Sequence, residues 1–324
     1  MNSLYSTNLP CPRIAFVIPC FNEEGAIAEV IQACRKNLPQ AKIYVFDNNS
    51  TDNTAAIARS QGAQVMSVSF RGKGNVIRCM FADVEADIYF MIDGDATYDI
   101  SEASTAVSKM INEGLDMIVG VRVEKSERGD NTYRLGHRFG NALLTSTVGW
   151  LFGRQFQDML SGYRVFSRRY VKSFPAAAHG FETETELTVH ALELRMPCME
   201  MPVGYFERPT GTVSKLSTLR DGWRILMTII KLFISERPLM FFSLLALVLA
   251  LVSVSLVIPI VNTFLDSGLV PRLPTAILSV GIMLSALLSL FCGSLLHNVT
   301  LARQEQKRFA YLLVSGPRQL AKSL

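Results

Sequence analysis

The chain has 324 residues, of which 49% are hydrophobic and 19% charged, and its formal net charge is +4. These values exclude a disordered chain and a collagen-like repeat, and six cysteines are too few for a disulfide-stapled miniprotein. The charge is uneven, because residues 1–202 are slightly acidic whereas residues 203–237 and 303–324 are basic. A mildly acidic soluble part with basic flanks is therefore expected.

Residues 1–12 are interpreted as an N-terminal extension, since they lack the basic and long apolar regions of a signal peptide. The cysteines show neither CxxC nor CxxH spacing. This argues against a zinc site and fits reduced thiols in the cytosol.

Short apolar runs alternate with helical patterns through the soluble part. Strands are predicted at 13–19, 42–47, 64–69, 88–92, 117–121, 164–167 and 198–203. Helices are predicted at about 24–38, 53–61, 74–82, 100–113, 132–151 and 183–194. The alternation predicts an α/β fold with a mainly parallel sheet. Ligands of such sheets bind at the carboxyl ends of the strands, so the chemistry is expected there.

Two acidic side chains follow the strand predicted at 88–92. Asp93 and Asp95 are two residues apart, so in an extended chain both carboxylates face the same way. Carboxylate oxygens suit a hard divalent cation, which could bridge to a diphosphate. An Asp-Gly turn with solvated acids is the alternative. An EF-hand is excluded, because Tyr98 stands where its calcium loop requires glycine.

Asp47 ends the strand predicted at 42–47, and its carboxylate can accept a hydrogen bond from a nucleobase N–H. The residues that follow are rich in helix-capping types, so a capping role stays open beside the binding role. The first strand leads into residues 19–22 without a GxGxxG pattern, and residues 72–74 lack the Walker pattern. A dinucleotide-binding dehydrogenase and a P-loop protein are therefore poor interpretations.

Two apolar spans are predicted within residues 238–302, at about 239–261 and 275–297. Each is long enough to cross a hydrocarbon core of about 30 Å. Basic residues lie at the outer ends of the spans, so the positive-inside rule places the soluble part and the basic tail, residues 303–324, in the cytoplasm. A helical hairpin buried in a soluble protein is the alternative.

Residues 217–237 precede the first span and show an amphipathic pattern. Leu219 and Trp223 recur at helical spacing opposite Arg220 and Arg224. The pattern predicts a juxtamembrane helix lying on the membrane surface. An ordinary helix packed on the soluble domain would show the same pattern.

Together these residues resemble the glycosyltransferases of family 2, which have the GT-A fold. The resemblance is closest to the polyprenyl-phosphate group, which contains dolichyl-phosphate mannose synthase and bacterial undecaprenyl-phosphate glucosyl transferases. It runs from about Ile14 to Leu216, within a predicted domain at 13–216. It implies a Rossmann-like cytoplasmic domain followed by an interfacial helix and a transmembrane hairpin. It also implies inverting transfer of one sugar from a UDP- or GDP-linked donor to a polyprenyl phosphate.

The resemblance also assigns the donor side. Asp93 and Asp95 match the family's metal-binding DxD motif, which holds magnesium or manganese, so Asp95 is counted as catalytic. Asp47 matches the acid that contacts the base, although Asn48 stands where a second acid is usual. The residues implied in nucleotide-sugar binding are Pro19, Asn22, Glu23, Asp47, Asn49, Asp93, Arg208 and Lys215. The last two lie in a loop similar to the family's mobile loop, for which a plain linker is the alternative.

By the same resemblance, Arg122 and Arg134 would grip the acceptor phosphate, and Arg138 lies on the same helical face as Arg134. An arginine fork matches the geometry of a phosphate and keeps its charge near pH 7. A solvated or membrane-facing basic face is the alternative.

Asp158 aligns with the acid often proposed as the base in relatives. The nucleophile would be a lipid phosphate, whose second pKa is about 6, so it is mostly anionic and needs no strong base. Asp158 is therefore expected to orient the acceptor or to stabilise the sugar as positive charge develops on it. A structural acid, paired with Arg164, is the alternative.

Other functions fit the sequence less well. A processive polysaccharide synthase of the same superfamily would carry a QxxRW motif and more spans. A non-catalytic membrane scaffold would not need Asp93, Asp95 and Arg122. Nucleic-acid binding is not expected, because the soluble part is net acidic. The expected partners are a nucleotide-sugar, a polyprenyl phosphate and the membrane, and the resemblance also allows a homo-oligomer.

Overall fold

A computed structural model describes residues 12–124, 145–146, 148–150, 153, 156–176, 183–206, 227–228 and 230–323. The chain divides into two compact units. One comprises Met1–Gly222 with Gln306–Leu324, and the other comprises Trp223–Glu305.

The first unit is built on a mixed, mostly parallel sheet. Its described strands are β1 (Ile14–Cys20), β2 (Lys42–Asp47), β3 (Gln64–Ser67), β4 (Ile88–Met91), β5 (Met117–Glu124), β6 (Arg164–Ser167) and β7 (Cys198–Tyr205). Their order across the sheet is β3-β2-β1-β4-β6-β5-β7. β6 is antiparallel to its two neighbours, and the other pairs are parallel. The predicted α/β fold with a mainly parallel sheet is confirmed.

The register of the sheet brings several strand ends to one edge. Cys20 at the end of β1 pairs with Asp47 at the end of β2. Val17 of β1 pairs with Met91, the last residue of β4. Since β6 is antiparallel to both β4 and β5, these two strands run in the same direction. The part of β5 that carries Arg122 therefore points to the same edge as the segment after β4.

Helices connect the strands and cover the sheet. Those described in the first unit are α1 (Ile27–Asn37), α2 (Thr54–Ser60), α3 (Lys73–Asp83), α4 (Ala103–Glu113), α5 (Arg168–Ser173) and α6 (Thr183–Glu193). α1 illustrates how a helix buries one face, because its buried residues recur at the three- and four-residue spacing of a single helical face. These residues are Ile27, Val30, Ile31 and Cys34.

The sequence pattern does not predict α5, which has only six residues. Its first turn is capped by Ser167, whose Oγ accepts a hydrogen bond from the Tyr170 N–H at 3.2 Å. The same hydroxyl donates to Asp116 at 2.6 Å. A cap and a tertiary contact thus stabilise a helix too short to show a periodicity. Of the helix predicted at 132–151, residues 145–146 and 148–150 are described, and they are helical.

The second unit contains two long apolar helices, α7 (Pro238–Ser267) and α8 (Leu273–Leu312), the latter belonging to this unit as far as Glu305. Both are long and apolar enough to cross a membrane. They extend beyond the spans predicted at 239–261 and 275–297, because hydropathy marks only the apolar stretch of a helix and backbone hydrogen bonding continues past it.

The two apolar helices pack along a seam of mostly small residues. Ser253 lies in this seam, and its Oγ donates to the Ser279 carbonyl at 2.7 Å. A Cβ at Gly293 would come within 2.8 Å of the Phe242 side chain, so the backbones approach closely there. Apart from Pro238 at the start of α7, the buried residues recur every seven positions: Ala246, Ser253 and Ile260 in α7, and Ser279, Ala286, Gly293 and Thr300 in α8.

The segment before α7 is described only in part. Residues 227–228 and 230–236 are helical, whereas the beginning of the predicted juxtamembrane helix, residues 217–226, lies outside the described residues. Glu236 forms an ion pair of 3.0 Å with Arg303, and the Ser235 carbonyl accepts from the Arg303 guanidinium at 3.0 Å. The end of this segment is therefore attached to α8.

The C-terminal tail packs on the first unit. The Tyr311 hydroxyl donates to the buried Asp116 carboxylate at 2.9 Å. The Arg169 guanidinium binds the same carboxylate at 2.7 Å and lies 4.6 Å from the centroid of the Tyr311 ring. Lys307 Nζ lies 2.6 Å from Glu193 Oε2 at the end of α6. A buried cluster of charges thus joins the tail to the sheet and to α6.

A second tail contact lies at the end of α4. The Arg318 guanidinium donates to the Glu113 carbonyl at 2.9 Å, which satisfies a carbonyl that the helix leaves unpaired. Gly114 then leaves α4 in the left-handed region at φ +72°. Lys307 and Arg318, two of the basic residues of the tail, therefore contact the protein itself.

Candidate functional site

The DxD motif lies directly after β4 at the edge where the strand ends meet. Asp95 is buried, and its Oδ1 accepts from the Thr97 hydroxyl at 2.6 Å. A Cβ at Gly94 would lie 2.6 Å from Cys20 Sγ, so a larger residue between the two acids would displace the Cys20 side chain. The carboxylates of Asp93 and Asp95 therefore both lie at the sheet edge that the sequence predicts.

The pKa of the buried Cys20 thiol reflects the negative charge at this edge. Burial raises the pKa of Cys20 well above its ordinary value, and nearby carboxylates raise it further. Those carboxylates belong to Glu23, Asp47, Asp93 and Asp95. Cys20 therefore stays protonated and is no nucleophile, and the concentrated negative charge favours cation binding.

Lys73 is the cation that lies within this acidic edge. Its Nζ is 2.7 Å from Asp93 Oδ1 and 2.8 Å from Glu184 Oε1. Burial alone would lower the pKa of Lys73, but the two carboxylates outweigh it and raise the pKa above its ordinary value. The ammonium group therefore stays charged and ties the first acid of the DxD motif to the first turn of α6. Sequence reasoning missed this role, although the glycines on either side of Lys73 mark a close backbone approach.

Asn48 positions the loop that delivers Lys73. Its Nδ2 donates to the Phe70 carbonyl at 2.8 Å and to the Val68 carbonyl at 3.3 Å. Its Oδ1 accepts from the Gly72 N–H at 2.8 Å. An aspartate could not donate to two carbonyls, so these contacts explain why an amide replaces the acid that is usual in the family at this position.

The first loop is tied to the segment after β2. Asn22 Oδ1 accepts from the Thr51 N–H at 2.8 Å, and the Glu23 N–H donates to the Thr54 hydroxyl at 2.8 Å. Pro19 pairs in register with Phe46, next to Asp47. The structure thus brings the predicted residues of this loop beside Asp47, with the Asn22 oxygen used to connect the two loops. Asn49 is exposed in the same segment, at φ +62°.

On the other side of the edge, Arg122 and Asp158 form a two-pronged ion pair. Arg122 Nε lies 2.6 Å from Asp158 Oδ2, and a second guanidinium nitrogen donates to Oδ1 at 2.8 Å. Arg122 also lies 5.6 Å from the centroid of the Tyr205 ring. The predicted phosphate-binding arginine and the predicted catalytic acid are therefore adjacent. Both Asp158 oxygens are engaged, which suits an orienting role better than that of a free base.

Arg164 is not the partner of Asp158. Its fully buried guanidinium donates to the carbonyls of Met159 and Ser161 and to the Thr188 hydroxyl of α6 at 3.0 Å. Burial lowers the pKa of Arg164, and these acceptors compensate part of the cost of desolvation. Arg164 therefore holds in place the loop formed by residues 158–162.

This loop joins the two halves of the edge. Asp158 at its start binds Arg122, and a Cβ on Gly162 at its end would overlap the Asp93 carboxylate. The Gly162 N–H also donates to the Tyr98 hydroxyl at 2.8 Å. The predicted metal-binding acid and the predicted phosphate-binding arginine are thus separated by one short, well-held loop. The predicted site residues Arg134, Arg138, Arg208 and Lys215 lie outside the described residues.

Comparison with known proteins identifies the family. Residues 15–174 match the model of glycosyl transferase family 2. Glycosyltransferase AglJ of Haloferax volcanii is 32% identical over 237 residues, which are 72% of this chain and 77% of that protein. The chain belongs to glycosyl transferase family 2. This family 2 enzyme is also 27% identical to the dolichyl-phosphate hexose transferase of the same organism, over 69% of its own chain and 95% of the relative.

A solved structure supports the fold of this glycosyltransferase. Glucosyl-3-phosphoglycerate synthase from Mycobacterium tuberculosis, solved with Mn²⁺, UDP-glucose and phosphoglyceric acid, superposes with a TM-score of 0.52. It covers 68% of this chain and 79% of its own, at 22% identity. The GT-A-like fold predicted from the sequence is therefore confirmed.

The acids of this glycosyltransferase can accommodate a divalent cation. Asp93 and Asp95 offer the hard oxygen ligands that Mg²⁺ and Mn²⁺ prefer. Within the described ranges, no set of three or more His, Cys, Asp or Glu residues forms a complete metal site. A cation held here would therefore take further ligands from a diphosphate or from water, which suits a site shared with a substrate.

Proposed function

We propose that this glycosyltransferase transfers a single hexose-type sugar from a UDP- or GDP-linked donor to a polyprenyl phosphate, with inversion at the anomeric carbon. The observation that carries the proposal is the arrangement of charge at one sheet edge. Asp93 and Asp95 lie there for a metal-bound diphosphate, and the Arg122 guanidinium lies across a short loop for a phosphate. The name of one relative, dolichyl-phosphate hexose transferase, supports the lipid acceptor.

On the donor side, Asp93 and Asp95 would hold Mg²⁺ or Mn²⁺, which offsets negative charge on the departing diphosphate. The Mn²⁺ and UDP-glucose in the solved structural neighbour support this assignment. Lys73 orients the Asp93 carboxylate through its 2.7 Å contact. Glu184 Oε2 is buried without a hydrogen-bond partner among the described residues, which supports a role as acceptor of a sugar hydroxyl.

The rest of the donor is proposed to bind between the first two loops. Asp47 would contact the base, and the backbone shape around it is maintained by the hydrogen bond from Thr51 to Asn22. Arg208 and Lys215, in the segment that resembles the family's donor-binding loop, are proposed to supply two cations to the diphosphate. The residues assigned to the nucleotide and its phosphates are Pro19, Asn22, Glu23, Asp47, Asn49, Arg208 and Lys215.

On the acceptor side, the lipid phosphate is proposed to bind Arg122, with Arg134 and Arg138 assisting. A phosphate monoester carries a charge between about −1.5 and −2 near pH 7, so it competes well with the single charge of Asp158 for the arginine fork. Asp158 then orients the acceptor or faces the positive charge developing on the sugar. The phosphate oxygen itself is anionic enough to attack without a strong base.

The proposal places the protein in the cell membrane, with the catalytic unit and both termini in the cytoplasm. The support is the two apolar helices and the charge pattern around them. The loop between the helices carries one basic residue, Arg272, whereas Arg237 and Arg303 mark the outer ends. A catalytic unit anchored on this side would meet the phosphate of a polyprenyl lipid at the membrane surface.

A transfer assay tests the proposal. Purified full chain is incubated with undecaprenyl phosphate, magnesium and radiolabelled UDP- or GDP-sugars, and lipid-extracted label is measured. Wild type should add one sugar per lipid. Asp95→Asn should lower transfer by about 10²-fold or more, because loss of a metal ligand removes several kcal/mol of charge stabilisation. Arg122→Ala should lower kcat/KM for the lipid by about 10²-fold, with nucleotide-sugar affinity changed by less than about threefold.

Asp83→Asn is the matched control, because Asp83 is exposed at the end of α3. Its replacement should leave sugar transfer unchanged. Wild-type transfer by Asp95→Asn would contradict the donor assignment. Unchanged lipid kinetics in Arg122→Ala would contradict the acceptor assignment. A polymeric product would contradict single-sugar transfer and indicate a processive enzyme.

A further inference from the structure

Glu200 on β7 holds the main chain where the loop formed by residues 158–162 begins. Its Oε1 accepts from the Gln157 N–H at 2.7 Å and from the Asp158 N–H at 3.3 Å. A carboxylate that accepts from backbone N–H groups forms charge-assisted hydrogen bonds, which are stronger than those between neutral groups. The main chain at Asp158 is therefore attached to the sheet independently of the Asp158 side chain.

The position of Glu200 in the sheet explains how it reaches this loop. β7 is the last strand in the order of the sheet, and Glu200 pairs in register with Val119 of β5. Successive side chains of a strand point to opposite faces of the sheet. Met199 and Met201 belong to the hydrophobic core on one face. Glu200 therefore points to the other face, where its carboxylate meets the backbone of the loop.

Arg164 holds the same loop through groups of the opposite kind. Its guanidinium donates to the carbonyls of Met159 and Ser161. Glu200 accepts from the N–H groups that precede them in the chain. A buried cation thus satisfies carbonyls of the loop, and an anion satisfies its N–H groups. The backbone that carries Asp158 is fixed by two side chains of opposite charge.

The Asp158 carboxylate itself has a partner that the proposed reaction would remove. Arg122 binds both of its oxygens, at 2.6 and 2.8 Å. An acceptor phosphate that takes the Arg122 fork would deprive the carboxylate of both hydrogen bonds at once. The position of Asp158 would then depend on its main chain. The two hydrogen bonds to Glu200 do not involve Arg122, so phosphate binding leaves them intact.

We propose that Glu200 is a positioning residue for sugar transfer, which keeps Asp158 in place while the acceptor phosphate occupies Arg122. The inference rests on the proposed function, because it takes Arg122 to bind the lipid phosphate and Asp158 to orient the acceptor or to face the sugar. Glu200 acts through Asp158 and needs no contact with either substrate.

Two substitutions of Glu200 separate hydrogen bonding from charge. Glu200→Met keeps the length of the side chain but removes the acceptor, so kcat for transfer to undecaprenyl phosphate should fall at least about tenfold. The KM for the lipid should rise by less than about threefold, because Arg122 is intact. Glu200→Gln loses the charge but keeps an oxygen that can accept from both N–H groups, so its kcat should exceed that of Glu200→Met at least about fivefold.

Glu29→Met and Glu29→Gln are the matched controls, because Glu29 is exposed on α1, and both should keep the wild-type kcat. A smaller fall in Glu200→Met, or a larger rise in its KM, overturns the inference. A smaller recovery in Glu200→Gln also overturns it, because a base or a required charge would be lost in that variant too. Should Glu200→Met fail to fold, Glu200→Gln decides, and a kcat below about one third of wild type overturns the inference.

Hydrogen–deuterium exchange provides a second measurement that does not depend on sugar transfer. In the full chain in detergent, a peptide that spans Gln157 and Asp158 should exchange at least about tenfold faster in Glu200→Met than in wild type. Glu29→Met should exchange as wild type does. Equal exchange in Glu200→Met and wild type would show that Glu200 does not hold the loop, and would overturn the inference.

The two measurements separate this inference from the proposed function. Absence of transfer to undecaprenyl phosphate by wild type would contradict the proposed function, whereas exchange would still decide whether Glu200 holds the loop. Transfer by wild type with unchanged kcat in Glu200→Met would support the proposed function and overturn the role of Glu200.

Discussion

Asn48 is a single residue on which the proposed donor side of the site depends. Its amide both donates and accepts, and it thereby positions the loop that ends at Lys73. The Lys73 ammonium in turn contacts the Asp93 carboxylate. A carboxylate at position 48 would face the Phe70 carbonyl oxygen with negative charge, whereas a protonated carboxyl group could still donate to it.

Asn48→Asp should therefore have a pH-dependent defect. When ionised, the new side chain repels the loop carbonyls, and kcat/KM should fall by about tenfold or more at pH 8. Burial and the facing carbonyls favour the protonated form. As the pH falls, protonation restores a donor, so the activity of the variant relative to wild type should rise. The measurement is the ratio of kcat/KM values from pH 5.5 to pH 8.5.

Asn53→Asp is the control for this prediction, because it adds the same charge at an exposed position. Its activity ratio to wild type should stay flat across the pH range. A flat ratio for Asn48→Asp, or wild-type activity at pH 8, would show that the amide does not position the loop for catalysis.

Some of the site could be predicted from the sequence because neighbouring residues carried the signal. Asp93 and Asp95 follow a buried strand at a spacing that metal ligands need, and they lie at the predicted edge. The pairing of Lys73 with Glu184 could not be predicted, since it joins residues from distant parts of the chain. The same holds for Arg122 and Asp158, which were both predicted as site residues but not as partners of each other.

At the scale of elements, α6 connects two charged groups of the first unit. Glu184 at its start contacts Lys73, and Glu193 at its end contacts Lys307 of the C-terminal tail. The Glu193 side chain is 1% exposed and that of Lys307 is 13% exposed. Removal of one partner would leave a buried charge unpaired, whereas replacement of both with apolar residues would not.

Lys307→Met should therefore destabilise the first unit by about 3–5 kcal/mol, while the double variant Lys307→Met with Glu193→Met should recover most of that loss. The measurement is thermal unfolding of the purified full chain in detergent. Arg308→Met is the control, because Arg308 is exposed beside Lys307 and should change the unfolding temperature little. Equal destabilisation in Arg308→Met, or none in Lys307→Met, would contradict a role for the ion pair.

Helices were predicted best where they were long enough to show a repeating apolar face. The eleven residues of α1 show a full apolar face, and the sequence pattern predicts this helix. The six-residue α5 depends on Ser167 as its cap and on a contact with Asp116, which no local pattern reveals. The contacts of the tail were also not predictable, because they are made by charged residues that periodicity assigns to solvent.

At the scale of the whole molecule, hydropathy and charge predict two apolar helices after a soluble part, and the structure has them. The proposed orientation places the loop between α7 and α8 outside the cell. Composition predicts the division into a soluble part and two apolar helices because apolar and charged residues are segregated along the chain. Contacts made by the tail depend on distant residues and need the folded structure.

Cysteine labelling tests the orientation. Ser267→Cys, near the loop, should react with a membrane-impermeant maleimide in intact cells, whereas Ser315→Cys, in the tail, should react only after permeabilisation. Both serines are exposed, so access in the protein does not limit labelling. The chain without an added cysteine sets the background. Labelling of Ser315→Cys in intact cells would contradict a cytoplasmic tail.

The buried cluster of Asp116, Arg169 and Tyr311 is completed late in the synthesis of the chain. Asp116 lies in the first half of the chain, but one of its hydrogen-bond donors is Tyr311, near the end of α8. Domains usually begin to fold as they leave the ribosome, N-terminal parts first. Here the catalytic unit acquires the hydrogen bond from Tyr311 to Asp116 only after α7 and most of α8 have been made. A ribosome that stops early thus releases a catalytic unit with an unfinished edge, open to cellular quality control.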